Sequence, residues 1–175
     1  MELLGWVTAS FFSPPGEALF RELYAGTLEE ALEELTGHPV ALPKVAPREL
    51  QAAYTALFVT HPEGLPAPPY AGYALDGELF GPSFHRLQEL YREGGLEVQA
   101  TWRDLPDHIA AIGEAIALLA DKNPHLAKRL ALEFLKPWLD RFAPQVKAHD
   151  PTGFYATLVD LLQEGIHAKT GFSQA

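Results

Sequence analysis

The chain has 175 residues and 19.2 kDa, enough for one domain that buries about 70% of its unfolded surface without covalent staples. It has no cysteine, which excludes a disulfide framework, cysteine-ligated zinc or iron–sulfur clusters and thiol catalysis, and fits a reducing compartment. With 13 Lys+Arg against 23 Asp+Glu, a formal net charge of -10 and no basic cluster, it is unsuited to nucleic acid and welcomes a basic partner.

The opening residues, Met1 to Trp6, carry no positive region, and no small-residue cleavage site follows an apolar stretch. No uninterrupted apolar run approaches the ~20 residues that span a bilayer, so the chain reads as cytoplasmic, without membrane insertion. Leu3, Leu4, Val7 and Phe11 mark a first short helix. Ser13-Pro14 predicts the start of a second, carrying Leu19, Phe20, Leu23 and Tyr24. Thr27-Leu28-Glu29-Glu30 reads as a capping box for a third helix, with Leu28, Leu32 and Leu35 as its stripe and Gly37 as its stop.

After a loop over 38–47, Pro47 starts a helix whose buried face is Leu50, Ala53, Tyr54, Leu57 and Phe58. The proline-rich stretch 61–73 predicts a loop. Pro82 opens a helix with Phe84, Leu87, Leu90 and Tyr91 inward, ended by Gly94-Gly95. A second loop over 96–105 carries Trp102, and its Val98 to Trp102 segment is a strand candidate too isolated to make a sheet. Pro106 predicts a helix with Ile109, Ile112, Ile116 and Leu119 inside, and Asn123-Pro124 another through Leu126, Leu130, Phe134 and Leu135. Pro137 should kink or split that helix before Trp138, Leu139 and Phe142. Asp150-Pro151 predicts the last helix, with Phe154, Leu158, Leu161, Leu162 and Gly165 on one face and a frayed tail after Ala168. The expected architecture is all-α: a single-domain helical bundle of eight or nine helices over residues 1–175.

The chain has no glycine-rich phosphate loop, no paired-histidine zinc helix and no Gly-x-Ser-x-Gly elbow. Its seven histidines never fall three or four apart on a helix, where two could share a metal. One segment is chemically unusual: Trp102-Arg103-Asp104-Leu105-Pro106-Asp107-His108. With Pro106 at the first helical position, Asp107 and His108 fall in the first turn, where unpaired amides favour a carboxylate and disfavour a protonated imidazole. His108 is thereby biased toward neutral unless Asp104 or Asp107 pairs with it. An N-terminal cap with an incidental histidine is the simpler reading; an acceptor pair for recognition, beside the aromatic Trp102, is the sharper one. Tyr70 and Tyr73 likewise either plug the end of the bundle or wall a groove for a peptide.

Several ordered elements converge on one family. Tyr54-x-x-Leu57-Phe58 precedes the loop, Pro68-Pro69-Tyr70-Ala71-Gly72-Tyr73 follows, then Tyr91 with Gly94-Gly95-Leu96, Pro106-Asp107-His108-Ile109, Trp138 with Phe142, and Phe154-Tyr155-x-x-Leu158. In this order and spacing over residues 54–162 the chain resembles the TorD/DmsD-type chaperones, the redox-enzyme maturation proteins that include the NarJ group. It departs from the family pattern at Gly72, where many members carry Ser, and at the acidic residue upstream of the signature, here Asp104, with Leu105 between it and Pro106.

The resemblance implies a cytoplasmic, non-catalytic chaperone without a cofactor. It would bind the twin-arginine signal peptide of the catalytic subunit of a molybdopterin oxidoreductase and hold it until its cofactor is inserted. It also implies a peptide site containing Asp107 and His108, with Tyr70, Tyr73, Trp102 and Asp104 as neighbours. A basic, then apolar, peptide would find a complementary surface on an acidic protein with exposed aromatics. A monomer is expected, with a domain-swapped dimer across the stiff 61–73 crossing as its variant. The competing reading is a small helical enzyme or metal protein using His108 and Asp107 with a distant His61 or His85.

Overall fold

In the computed structural model, which describes residues 1–171, the densest packing is between α1 (Glu2–Phe12) and α7 (Ile109–Leu119). Their backbones touch because each carries glycine at the crossing. A Cβ on Gly5 would lie 2.4 Å from the Gly113 carbonyl oxygen, and one on Gly113 2.7 Å from the Ala9 nitrogen. Around this pair lie α2 (Glu17–Ala25), α3 (Thr27–Thr36), α4 (Pro47–Phe58), α5 (Ala71–Asp76) and α6 (Pro82–Glu93). The chain closes with α8 (Pro124–Leu130), a π-helical turn (Ala131–Leu135), α9 (Lys136–His149) and α10 (Phe154–Thr170). The π turn joins α8 to α9 without a break, so the described residues form nine helices and no strand, the expected all-α bundle.

The expected stripes are buried except in α2, where only Leu19 faces inward and Tyr24 is 90% exposed. Leu28, Leu32 and Leu35 face inward from α3, Leu50, Tyr54 and Phe58 from α4, and Leu158 and Leu162 from α10. An aromatic cluster fills the centre. Phe12 meets Trp138 edge-on at 5.3 Å and Phe58 at 5.6 Å, and Phe58 meets Tyr155 at 5.4 Å. The Trp138 indole N–H donates to the Pro68 carbonyl at 2.8 Å, tying the proline-rich loop to the core.

Several helix ends differ from expectation. α2 starts at Gly16, not at Ser13-Pro14, because the Ser13 hydroxyl donates back to the Ala9 carbonyl and belongs to the end of α1. The Thr27 capping box does not form. Gly26, at φ 78°, ends α2 and starts α3 in a single residue, which leaves Thr27 already helical. α10 starts at Phe154, after the Asp150-Pro151 pair, and Asp150 reaches forward instead to accept from the Tyr155 and Ala156 amides.

The expected break at Pro137 takes the form of the π turn. Proline offers no N–H to the carbonyl four residues back, and the widened turn just before it absorbs the mismatch while the helix continues. Val98 to Trp102 is irregular rather than extended in a strand. The expected fraying after Ala168 does not begin there, since α10 continues to Thr170; the rest of that tail, 172–175, lies outside the described residues.

Candidate functional site

Pro106 does not open α7. Helix geometry begins at Ile109, and His108 is itself the N-cap, its Nδ1 accepting from the Ala110 amide at 3.0 Å. An accepting Nδ1 puts the proton on Nε2, the tautomer of a neutral imidazole. Burial pushes the His108 pKa below its ordinary value, and the Asp104 carboxylate, 3.9 Å from Nε2, opposes that shift. Burial thus biases His108 toward neutral, the nearby Asp104 that sequence rules named as the exception works against it, and the residue sits one position outside the turn where those rules placed it.

Asp107 also lies before α7, and it serves another helix. Its Oδ2 accepts from the Gly72 amide at 3.0 Å and its main-chain oxygen from the Ala71 amide at 3.0 Å, so it caps α5 from across the chain. In return the Ile109 amide donates to the Pro69 carbonyl at 2.9 Å, and Tyr70 and His108 form an isolated antiparallel bridge. The starts of α5 and α7 are therefore stitched to each other. The Asp107 side chain is 1% exposed and its Oδ1 has no partner. Burial raises its pKa, while the amides of Gly72 and of Asp107 itself hold it back.

The bridge brings four more groups together. The Tyr70 hydroxyl donates to Asp104 Oδ1 at 2.8 Å, and the same oxygen accepts the Leu105 amide at 2.8 Å. The Tyr70 ring stands edge-on to the His108 ring at 5.6 Å, and the Trp102 ring meets His108 at 5.8 Å. Burial and the Asp104 carboxylate push the Tyr70 hydroxyl up, so it remains a neutral donor. The Trp102 indole donates to the Leu105 carbonyl at 3.1 Å, and the Tyr91 hydroxyl to the Pro106 carbonyl at 2.8 Å. Beside this cluster a cleft of about 550 Å³ runs between α1, α7 and the 96–106 segment. Trp102 and Pro106 form one end, Glu97 and Glu114 supply carboxylates, and no Lys or Arg is among its described lining residues.

Five of the six candidate residues thus converge: Tyr70, Trp102, Asp104, Asp107 and His108. Tyr73 does not join them. Four prolines do not keep the whole 61–73 stretch a loop, because α5 begins at Ala71, its first amides satisfied by Asp107; Tyr73 then turns to the opposite side. There it stacks on Phe142 at 6.3 Å under the Arg141 guanidinium, beside His61. His85 packs edge-on against Phe84, and among the described residues no group of three His, Asp or Glu is placed to hold a metal.

Two residues named in the sequence gain their role only in the fold. Gly72 is sandwiched: a Cβ there would lie 2.7 Å from Asp107 Oδ2 and 3.5 Å from the Phe84 Cβ, so a side chain at this position would have to displace the buried carboxylate. Tyr91, readable only as a helix-end aromatic, anchors the turn before Asp107.

A family model described as nitrate reductase delta subunit matches residues 21–144. A TorD chaperone protein of Shewanella loihica is 33% identical over 144 residues, covering 78% of this chain and 65% of its own. The Tat proofreading chaperone DmsD of Salmonella typhi is 33% identical over 115 residues, covering 64% of this chain and 56% of its own. The chain therefore spans 56–65% of the length of these two curated relatives. A solved structure assigned to a redox enzyme maturation protein of Archaeoglobus fulgidus shares the fold, with a TM-score of 0.66 at 23% identity over 94% of this chain and 92% of its own.

Proposed function

The chain belongs to the nitrate reductase delta subunit family of TorD-type chaperones, and on that premise we propose that it binds the twin-arginine signal peptide of a molybdenum-containing oxidoreductase precursor. It holds the peptide while the cofactor is inserted, acts by binding rather than catalysis, and works in the cytoplasm before export. Among the described residues no helix is long and apolar enough to cross a membrane.

The observation that carries this reading is the meeting of Tyr70, Trp102, Asp104 and His108 around the buried Asp107, with Trp102 shared with a cleft that carries Glu97 and Glu114. A guanidinium is planar, always charged and stacks on aromatic faces, so a carboxylate flanked by Tyr and Trp rings suits it. Glu97 and Glu114 extend the negative lining along the path of a basic segment. His108 held neutral adds no opposing charge.

The reading is of a monomer, with a domain-swapped dimer across the 61–73 crossing as its variant; light scattering at micromolar concentration separates the two. The test is calorimetric titration with a synthetic signal peptide and with the same peptide carrying glutamine at both arginines. Replacing two guanidinium groups removes two charge-assisted hydrogen bonds and should weaken binding at least about tenfold. Equal affinities for the two peptides would overturn the reading.

A further inference from the structure

A second cavity, of about 700 Å³, lies where Tyr73 turns, between the proline-rich stretch and α9. Its polarity is the reverse of the cleft's. Arg141, His61 and His149 line it, and Glu63 is the one carboxylate among its described lining residues. Arg141, Gln145 and His149 fall at i, i+4 and i+8 on one face of α9, and all three are exposed.

Arg141 is held more firmly than a surface cation usually is. Its Nη1 donates to the Tyr73 carbonyl at 3.1 Å and to the Ala74 carbonyl at 2.7 Å, in the last turn of α5. Its guanidinium carbon lies 5.6 Å from the centre of the Tyr73 ring and 5.3 Å from that of Phe142, and the two rings stack on each other. Both Nη1 hydrogens are thereby engaged. Nε and Nη2 keep the remaining N–H groups, side by side along one edge of the fork. Among the described residues no ion pair or hydrogen bond engages that edge. Capping α5 accounts for the Nη1 side of the guanidinium and leaves this edge unexplained. Such an edge receives the two oxygens of a carboxylate in parallel. The ordering that binding demands of a long side chain is already supplied by the carbonyls and the rings. His61 adds a donor: its Nδ1 accepts from the Glu63 amide at 3.1 Å, which leaves a hydrogen on Nε2. Leu65, Pro66 and Pro68 make the rest of the wall apolar.

We propose that this cavity binds a monocarboxylate carried on an apolar body. The carboxylate meets the Nε–Nη2 edge of Arg141, and the body lies against Tyr73 and the proline-rich wall. The site is separate from the cleft at Trp102 and stands without the peptide-binding reading. Glu63 sets the charge that is accepted: Arg141 pairs one negative charge, and a second would meet the Glu63 carboxylate unpaired. A phosphate monoester, with about -1.5 to -2 at neutral pH, is therefore the poorer ligand. A polypeptide ending in an apolar residue and a free arylalkanoic acid both present the chemistry that fits.

The experiment titrates N-acetylphenylalanine into isotope-labelled protein at neutral pH and follows the Arg141 Nε–H resonance and the Tyr73 ring by NMR. The shifts should saturate with a dissociation constant of about 1 mM, as one charge-assisted pair and one covered ring allow. N-acetylphenylalaninamide, the same body without the charge, should bind at least about tenfold more weakly. Arg141→Lys keeps a cation for the α5 carbonyls and loses the fork, and should also weaken binding about tenfold. Gln145→Glu sets a competing carboxylate one turn from Arg141 on the exposed face of α9. It should weaken binding about tenfold while melting with the parent, and it carries the test should Arg141→Lys not fold. 3-Phenylpropanoate separates the two sources: binding equal to that of N-acetylphenylalanine assigns a free acid, and weaker binding a chain end. Equal binding of acid and amide, tighter binding of phenyl phosphate than of the acid, or undiminished binding in Gln145→Glu would overturn the proposal.

Discussion

At the scale of single residues, His108 and Asp107 titrate in opposite senses. Burial lowers the His108 pKa, so below about 6.5 the unfolded chain binds more protons than the folded one and stability falls as pH drops through that window. Burial raises that of Asp107, so its contribution is full below an unfolded value of about 3.9 and is lost as pH rises through the raised folded one. His108→Asn keeps an oxygen for the Ala110 amide and removes the imidazole. Its thermal melts should fall less steeply than the parent's between about pH 6.5 and about pH 5; an identical slope would contradict the assignment. Asp107 in a first turn would be worth only about 0.5–1 kcal/mol. As the cap of α5 it is worth more: Asp107→Ala strands the buried Gly72 amide at a cost of about 1–3 kcal/mol and should lower Tm visibly. Asp107→Asn retains an acceptor and should melt near the parent while binding the signal peptide about tenfold more weakly. Undiminished affinity in Asp107→Asn would take the carboxylate out of recognition. The sequence rule for helix N-termini biased His108 toward neutral unless Asp104 or Asp107 paired with it; in the fold burial supplies the bias and Asp104 opposes it. Gly72 was marked as a departure from the family pattern, but nothing local pointed to its acceptor, 35 positions away.

At the scale of elements, the crossing of α1 on α7 depends on hydrogen in place of side chains at Gly5 and Gly113. Gly113→Ala gains about 1 kcal/mol of helix propensity. It also drives a methyl group into the Ala9 nitrogen and the Gly5 oxygen at under 3 Å, backbone atoms that cannot rotate away. Overpacking of this kind costs about 1–3 kcal/mol, and its upper end applies, so the net loss should be about 2 kcal/mol. Chemical denaturation checks it, and an unchanged or raised midpoint would show that the helices separate freely. Interior faces were legible along the chain because a 3.6-residue period is a property of the stretch itself. Ends were less so. Pro47, Pro82 and Asn123-Pro124 start helices as their local chemistry suggests. Ser13-Pro14, Thr27 and Pro106 carry equally good local signals and lose to partners outside them: the Ala9 carbonyl, the left-handed Gly26, and the bridge between Tyr70 and His108. The short α5 was hidden behind prolines for the same reason, since its cap comes from the segment before α7.

At the scale of the whole molecule, the formal charge of -10 acts before any contact forms. The fold brings Tyr70 and Asp104 to one face although 34 positions separate them, beside a cleft that carries Glu97 and Glu114. The proposed peptide capture would divide into two physically different parts. Long-range attraction gathers a basic segment from distances that depend on the Debye length, about 10 Å at 0.1 M salt and about 3 Å at 1 M. Short-range contact of rings and apolar side chains holds it, and added salt does not screen that contact. Raising sodium chloride from about 0.05 M to about 1 M should therefore slow association with the signal peptide about tenfold or more, by removing steering. The dissociation rate should change much less, because ring and apolar contacts are not screened by salt. Surface plasmon resonance or stopped-flow fluorescence of Trp102 separates the two rates. An association rate indifferent to salt would mean that the negative charge is solubilising rather than guiding. A dissociation rate that rises as steeply as association falls would mean that the arginines alone hold the complex.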